Sequence, residues 1–181
     1  MTTLTKQEAQ NILEEHVKDE YQRYHAQMVA TAVEGYAKHF GENIDEWYLT
    51  GLLHDVDYEE HPTTHPGPSM EWMKEWGFTP EMIHAVEAHA YGYNGYTTMP
   101  NNKLAATLMA CDELCGIFYA YKKVNPAPYG GMKASSIRKR FKEEKFAPKI
   151  KREDIIRGTE ALGVTLEDHV VNMIQFLGAL E

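Results

Sequence analysis

The chain has 181 residues, of which 43% are hydrophobic and 25% charged, and its formal net charge at pH 7 is −9. This composition is typical of one globular domain, and the acidic balance argues against general nucleic-acid binding. No apolar run approaches the roughly 18 residues of a membrane span, no signal peptide is visible, and two cysteines are too few for a disulfide framework. We therefore expect one cytoplasmic domain over residues 1–181, without membrane association.

Helical signals begin at the start of the chain, and strand signals are nearly absent throughout. A capping box over residues 5–8 predicts the beginning of a first helix. A second helix is expected over about residues 21–39, ended by Gly41, and a third is expected after a cap at Asn43 or Asp45.

Prolines divide the middle of the chain. Pro62, Pro66 and Pro68 exclude regular helix over residues 58–69, and a short helix is expected from Ser69 onward. Further helices are predicted after the Thr79-Pro80 pair, over residues 102–124 and 152–162, in the basic segment between those two, and at the C-terminus. The sequence therefore predicts an all-α fold of about nine helices.

Asp112 is the most unusual polar residue, because it lies in the middle of the most apolar predicted helix. A carboxylate is rarely buried unless it is paired or bound to a cation, and no lysine or arginine lies close to Asp112 in the sequence. His25, His54 and Asp55 occur in similar apolar helical contexts. Two imidazoles and two carboxylates form a ligand set suited to Mn, Fe, Ni, Co or Zn.

These residues follow a known order. A histidine on one helix, an adjacent His-Asp pair on a later helix and a distant aspartate resemble the signature of the HD-domain superfamily of metal-dependent phosphohydrolases. The resemblance covers about residues 21–121, and the rest is similar to small bacterial and archaeal HDIG-type members. It implies a single-domain HD-type helical bundle with a metal-binding core over residues 20–122 and a C-terminal helical extension over residues 130–181.

The resemblance also implies a centre with one or two divalent ions. In the dinuclear pattern His25, His54 and Asp112 bind one ion, His65 and His89 bind the other, and Asp55 is the bridging and catalytic carboxylate. Two alternatives remain open, since His61 could replace His65 and His84 could replace His89. Asp57 and Glu59 either orient imidazoles or lie in a solvated turn, and we expect three other histidines on helix surfaces: His16, His39 and His169.

The expected reaction is hydrolysis of a phosphomonoester or nucleotide by a metal-activated water. Residues 133–152 carry nine lysines and arginines but two acids, so this segment is either a solvated helix face or a site for a phosphorylated small molecule. Lys139 and Lys142 are its candidate substrate-binding residues. Two other functions use the same ligands: an HD-type di-iron oxygenase and a non-catalytic binding or sensor module.

Overall fold

The computed structural model describes residues 4–180, which form nine α-helices and two short 3₁₀ helices and contain no strand. The all-α expectation is therefore confirmed for this part of the chain. The α-helices, in chain order, are α1 Lys6–His16, α2 Glu20–Phe40, α3 Ile44–Leu53, α4 Gly67–Glu75, α5 Pro80–His89, α6 Lys103–Val124, α7 Ala134–Lys142, α8 Arg152–Leu162 and α9 Leu166–Leu177.

Local sequence signals determine most of the helix ends. Thr5 and Glu8 cap α1 reciprocally, and the side chain of Asn43 caps α3 by accepting from the backbone N–H of Glu46. The expected start of α4 at Ser69 is wrong by two residues, because the helix begins at Gly67. Pro68 is tolerated there, since the first turn of a helix needs no N–H donor from it.

Helix α6 is the centre of the core and packs against α2, α5, α7 and α8. It is long and apolar enough to cross a membrane, but 72% of its most apolar 18-residue window is buried within the fold. Cys111 and Cys115 are both fully buried on α6 as free thiols, and burial raises the pKa of each well above the usual value. These are the properties of a core helix.

A close contact between α2 and α3 positions the first half of the site. A Cβ atom at Gly51 would lie 2.8 Å from the Cα of Ala30, so only glycine permits the two helices to approach this closely. His25 lies on α2 and His54 directly follows α3, and their ring centroids are 5.6 Å apart. The glycine contact therefore helps bring together two histidines that are distant in sequence.

His169 lies in the core, and the expectation that it is a surface residue is wrong. Its side chain is fully buried on α9. The Tyr36 hydroxyl lies 2.6 Å from Nδ1, and Nε2 donates to the carbonyl oxygen of Ala110 at 2.9 Å. Because a carbonyl oxygen only accepts, the proton is on Nε2 and the Tyr36 hydroxyl donates to Nδ1. Both ring nitrogens thus have protein partners.

Candidate metal centre

Six side chains from separate parts of the chain meet in one place. Each comes from the end of a helix, the interior of a helix or the loop before α4. The set comprises His25 on α2, His54 and Asp55 after α3, His65 in the loop, His89 at the end of α5 and Asp112 on α6.

One side of the centre is built around Asp112. Its Oδ1 lies 2.8 Å from Nε2 of His25 and 3.5 Å from Nε2 of His54. The Oδ2 of Asp55 approaches the same His54 nitrogen at 3.4 Å. Nε2 of His54 is therefore approached by two carboxylates, and Asp112 is also in contact with His25.

The other side of the centre is built around the second oxygen of Asp55. Its Oδ1 lies 3.4 Å from Nε2 of His65 and 3.1 Å from Nε2 of His89. The two carboxylate oxygens of Asp55 thus face different histidines, with His54 on one side and His65 and His89 on the other.

Hydrogen bonds donated by Nδ1 fix the orientation of three rings. His54 donates to the carbonyl oxygen of Gly51 at 2.7 Å, and His89 donates to the carbonyl oxygen of Val86. His65 donates to Oδ1 of Asp57 at 2.7 Å. Because these partners accept only, each Nδ1 carries a proton, and the Nε2 lone pair of each neutral ring points into the centre.

In this arrangement the Nε2 lone pairs of the rings face carboxylate oxygens, so hydrogen-bond acceptors face one another. Nε2 of His54 is buried and has no hydrogen-bond partner within residues 4–180. The carboxylate oxygens near it also only accept, so each contact requires a positive charge between its two atoms. That charge is either a proton on the ring or a metal cation, and imidazole nitrogen with carboxylate oxygen is a suitable donor set for a divalent transition metal.

The pKa shifts show how strongly the centre attracts positive charge. Burial alone would lower the pKa of His54, but the carboxylates of Asp55 and Asp112 outweigh it and hold that pKa well above its usual value. Burial alone would raise the pKa of Asp112, but its hydrogen bond with His25 and the nearby imidazole of His54 hold that pKa well below its usual value. A bound metal therefore competes with protons for the same nitrogen atoms.

The sequence model of the HD domain matches residues 23–117, which is more than half of the chain. The chain belongs to the HD-domain family. Members of this family bind divalent metals, in agreement with the buried His/Asp groups found here. The same comparisons found no match among curated proteins or solved structures.

The remaining polar candidates of the HD core lie around the centre in different roles. Asp57 is fully buried, and its carboxylate accepts from His65 and from the backbone N–H of Ser69. Glu59 instead accepts from the backbone N–H groups of Lys18 and Asp19, just before α2. His61 packs edge-on against Trp72, and neither His61 nor His84 is among the six side chains of the centre.

A cleft of about 260 Å³ connects the centre with solvent. The side chains of Asp55 and Asp112 are 23% and 18% exposed, so both carboxylates remain reachable from this cleft. Five of the six candidate ligands line the cleft, all except His54. The other lining residues are Tyr21, Gln22, Tyr58, Ala90, Tyr93, Glu113, Gly116, Lys149, Ile150, Lys151 and Asp154.

The lysines in this lining differ from those that the sequence favoured. Lys149 and Lys151 line the cleft, whereas Lys142 lines two separate surface pockets. Lys139 is highly exposed and lies 4.0 Å from a carboxylate oxygen of Glu143. The excess of positive charge identified the basic segment in the sequence. The two lysines that line the cleft, however, lie in its non-helical part, where no helical periodicity predicts which side chains face the centre.

Proposed function

We propose that the protein is a metal-dependent phosphohydrolase that releases phosphate from a small phosphomonoester. The observation that carries this proposal is the buried set of Nε2 atoms and carboxylates that face one another at the base of an open cleft. In an HD-domain protein this donor set suits a pair of divalent cations. The geometry also supports the dinuclear assignment, because each oxygen of Asp55 faces a different histidine set.

In this assignment His25, His54 and Asp112 hold one cation and His65 and His89 hold the other. Asp55 is shared between them. When bound, the two cations supply Lewis acidity that activates a water and withdraws charge from a phosphoryl group.

The chain itself orients the ligands and supplies proton donors. The Nδ1 hydrogen bonds hold the rings of His54, His65 and His89 in place before any substrate arrives. Burial and the charge of Asp112 raise the pKa of Tyr21 to about 12, and a hydrogen bond with Tyr93 together with burial raises the pKa of Tyr58 to about 12. Both phenols therefore keep their protons at neutral pH and can donate to phosphate oxygens.

The size of the cleft supports a small substrate. Its volume of about 260 Å³ lies below the roughly 300–1,000 Å³ typical of pockets for drug-sized ligands. The partner in this proposal is a phosphorylated small molecule. We place the reaction in the cytoplasm, which agrees with the two free thiols of Cys111 and Cys115.

The test begins with metal reconstitution. Chelator-treated protein is loaded separately with Mn²⁺, Fe²⁺, Co²⁺, Ni²⁺ and Zn²⁺, and phosphate release is measured on a panel of sugar phosphates, nucleotides and p-nitrophenyl phosphate. We expect release only after metal addition, and none from Asp112→Asn, whose side chain keeps its shape but loses its negative charge.

Oxygen uptake is recorded on the same samples. Oxygen uptake by the iron-loaded protein without phosphate release would contradict the phosphohydrolase proposal and support a di-iron oxygenase instead. Bound metal without turnover on any ester or uptake of oxygen would favour a binding or sensor module.

A further inference from the structure

Residues 143–151, which we call the strap, connect α7 to α8, and the C-terminal part of the strap lies at the cleft. Three consecutive strap residues, Lys149, Ile150 and Lys151, line the cleft. Ile150 lies against α6, since a Cβ at Gly116 would be 2.4 Å from its Cδ1, and the ammonium of Lys151 lies 5.0 Å from the ring centroid of Tyr93. The strap thereby contacts α6 and the loop after α5.

The side chain of Arg152 holds the strap in this conformation. Its guanidinium donates to backbone carbonyl oxygens within or beside the strap, namely those of Arg140, Phe141, Glu143, Phe146, Ala147 and Ile150. A guanidinium has five N–H donors in a rigid plane, so one side chain can fix several carbonyl groups of an irregular segment. The position of the two lysines is therefore set by an internal anchor.

The charges of these lysines are not neutralised by ion pairs. Within residues 4–180 no carboxylate oxygen lies within 4 Å of the ammonium of Lys149 or Lys151, whereas Lys6, Lys38 and Arg157 each form such a pair. Two unpaired cations thus lie at the rim of a cleft whose base is lined by carboxylates.

Two cations suit a phosphomonoester better than a diester. At neutral pH a phosphomonoester carries a charge of about −1.5 to −2, whereas a diester carries a single negative charge. We propose that Lys149 and Lys151 bind the phosphate group of a small monoester and select it over the diester, and that Arg152 is a positioning residue that holds both lysines at the cleft. This inference rests on the proposed function and adds the part of the site that recognises the substrate's charge.

The direct experiment uses Lys149→Met, Lys151→Met and the double variant, each loaded with the metal that supports turnover. The substrates are p-nitrophenyl phosphate and p-nitrophenyl methyl phosphate, which share a leaving group and differ in charge. The Kd of inorganic phosphate, measured by calorimetry, is the second readout. Lys145→Met is the matched control, since Lys145 lies on the same strap, forms no ion pair within the described residues and lines a separate pocket.

We expect each single change to raise KM for the monoester and the Kd of phosphate by about tenfold, because a charge-assisted hydrogen bond is lost. The effect on the diester should be several-fold smaller, with kcat and metal content unchanged. Lys149→Arg should recover most of the affinity, and Lys145→Met should match the unchanged protein.

The result that overturns the inference is a double variant with normal KM for the monoester and normal phosphate affinity. Phosphate release would then still stand as the function. If the unchanged protein hydrolyses neither ester with any metal, the phosphohydrolase proposal fails, and phosphate binding decides the role of the strap separately. Binding that is lost in the double variant supports the strap, and binding that is absent or unaffected overturns it.

Two further variants test the positioning role. Arg152→Met should raise KM and phosphate Kd without changing metal content, and it should expose residues 143–151 to faster limited proteolysis. A Cβ at Gly116 would lie 2.4 Å from Cδ1 of Ile150 and would displace that terminal methyl group, so Gly116→Ala should raise KM by less than Arg152→Met does. Adding Ile150→Ala to Gly116→Ala removes the close contact and should restore KM in part. An unchanged KM in both Arg152→Met and Gly116→Ala would show that Arg152 does not position the two lysines.

Discussion

Two fully buried histidines that both contact α6 have opposite hydrogen-bonding states. His169 uses both ring nitrogens within the protein, one with Tyr36 and one with Ala110. His54 uses Nδ1 on Gly51, while its Nε2 faces carboxylate oxygens of Asp55 and Asp112 at 3.4 and 3.5 Å. Burial is the same in both cases, so burial alone does not distinguish a structural histidine from a candidate ligand.

The pKa shifts of the two residues follow from this difference. Burial lowers the pKa of His169 to about 4, despite the opposing hydrogen bond to Ala110. The neighbouring carboxylates of His54 overcome the effect of burial and raise its pKa well above the usual value. The first environment excludes positive charge, and the second requires it. The following substitutions test whether metal binding near His54 and stability near His169 can be changed independently.

The largest effect is expected from Asp112→Asn. The isosteric amide can still accept from His25, so the helical fold should persist, but the negative charge that attracts a cation is lost. We expect at least one ion to be lost from the purified protein and phosphatase activity to be abolished. Elemental analysis and circular dichroism measure the two outcomes, and a full metal complement in this variant would mean that the ligand assignment is wrong.

The converse change, His169→Leu, should affect stability without affecting metal. It removes one hydrogen bond from the Tyr36 hydroxyl, which still accepts from the Asn172 amide, and one from the Ala110 carbonyl oxygen inside α6. At about 1 kcal/mol for each hydrogen bond, we expect the free energy of unfolding to fall by about 2 kcal/mol in denaturant titrations. Metal content should equal that of the unchanged protein, and loss of metal here would show that the two histidine environments are linked through α6.

The low pKa of His169 predicts a pH dependence of stability. The folded pKa is about 4 and the unfolded value is about 6.5, so only the unfolded state gains this proton between those values. Stability is therefore lost as pH falls, by about 2 kcal/mol between pH 7 and pH 5. The measurement compares Asp112→Asn with Asp112→Asn/His169→Leu, in which the other titrating groups are the same. If the free energy of unfolding changed equally with pH in the two proteins, the assignment of this pH dependence to His169 would be wrong.

The smallest effect is expected from Asp57→Asn. The change weakens the acceptor that holds the His65 ring, and loss of such a supporting hydrogen bond typically lowers metal affinity by about 10- to 100-fold. We expect a reduction of about tenfold, confined to the ion held by His65 and His89, in competition titrations with a chelator. Glu59→Gln is the control, because Glu59 accepts only from backbone groups before α2.

Much of the fold and centre could be predicted from local sequence. The capping box of α1, the cap at Asn43 and Asp112 in an apolar helix are short-range signals that tertiary structure did not override. His169 also had a signal, because it lies three residues after Leu166 and four before Met173 on the buried face of α9. Its polarity led us to assign it to the surface.

The strap could not be predicted in the same way. Its conformation depends on hydrogen bonds from one arginine side chain to carbonyl groups of an irregular segment, and such contacts follow no period in the sequence. The substrate-binding prediction therefore named Lys139 and Lys142, which lie on the regular basic helix α7. Lys149 and Lys151 were not predicted, because they lie in a segment without helical periodicity. Hydrogen bonds to irregular backbone are visible only once the chain is folded.

Two helices, α3 and α5, end at the centre, where they are followed by His54 and terminated by His89. The C-terminal end of a helix carries a partial negative charge of about half an elementary charge. Together with Asp55 and Asp112, these ends add negative potential at the base of the cleft, which favours cations over phosphate at that point. Divalent cations held by the six side chains would reverse the sign of this potential, so in the proposed reaction metal loading would favour phosphate binding.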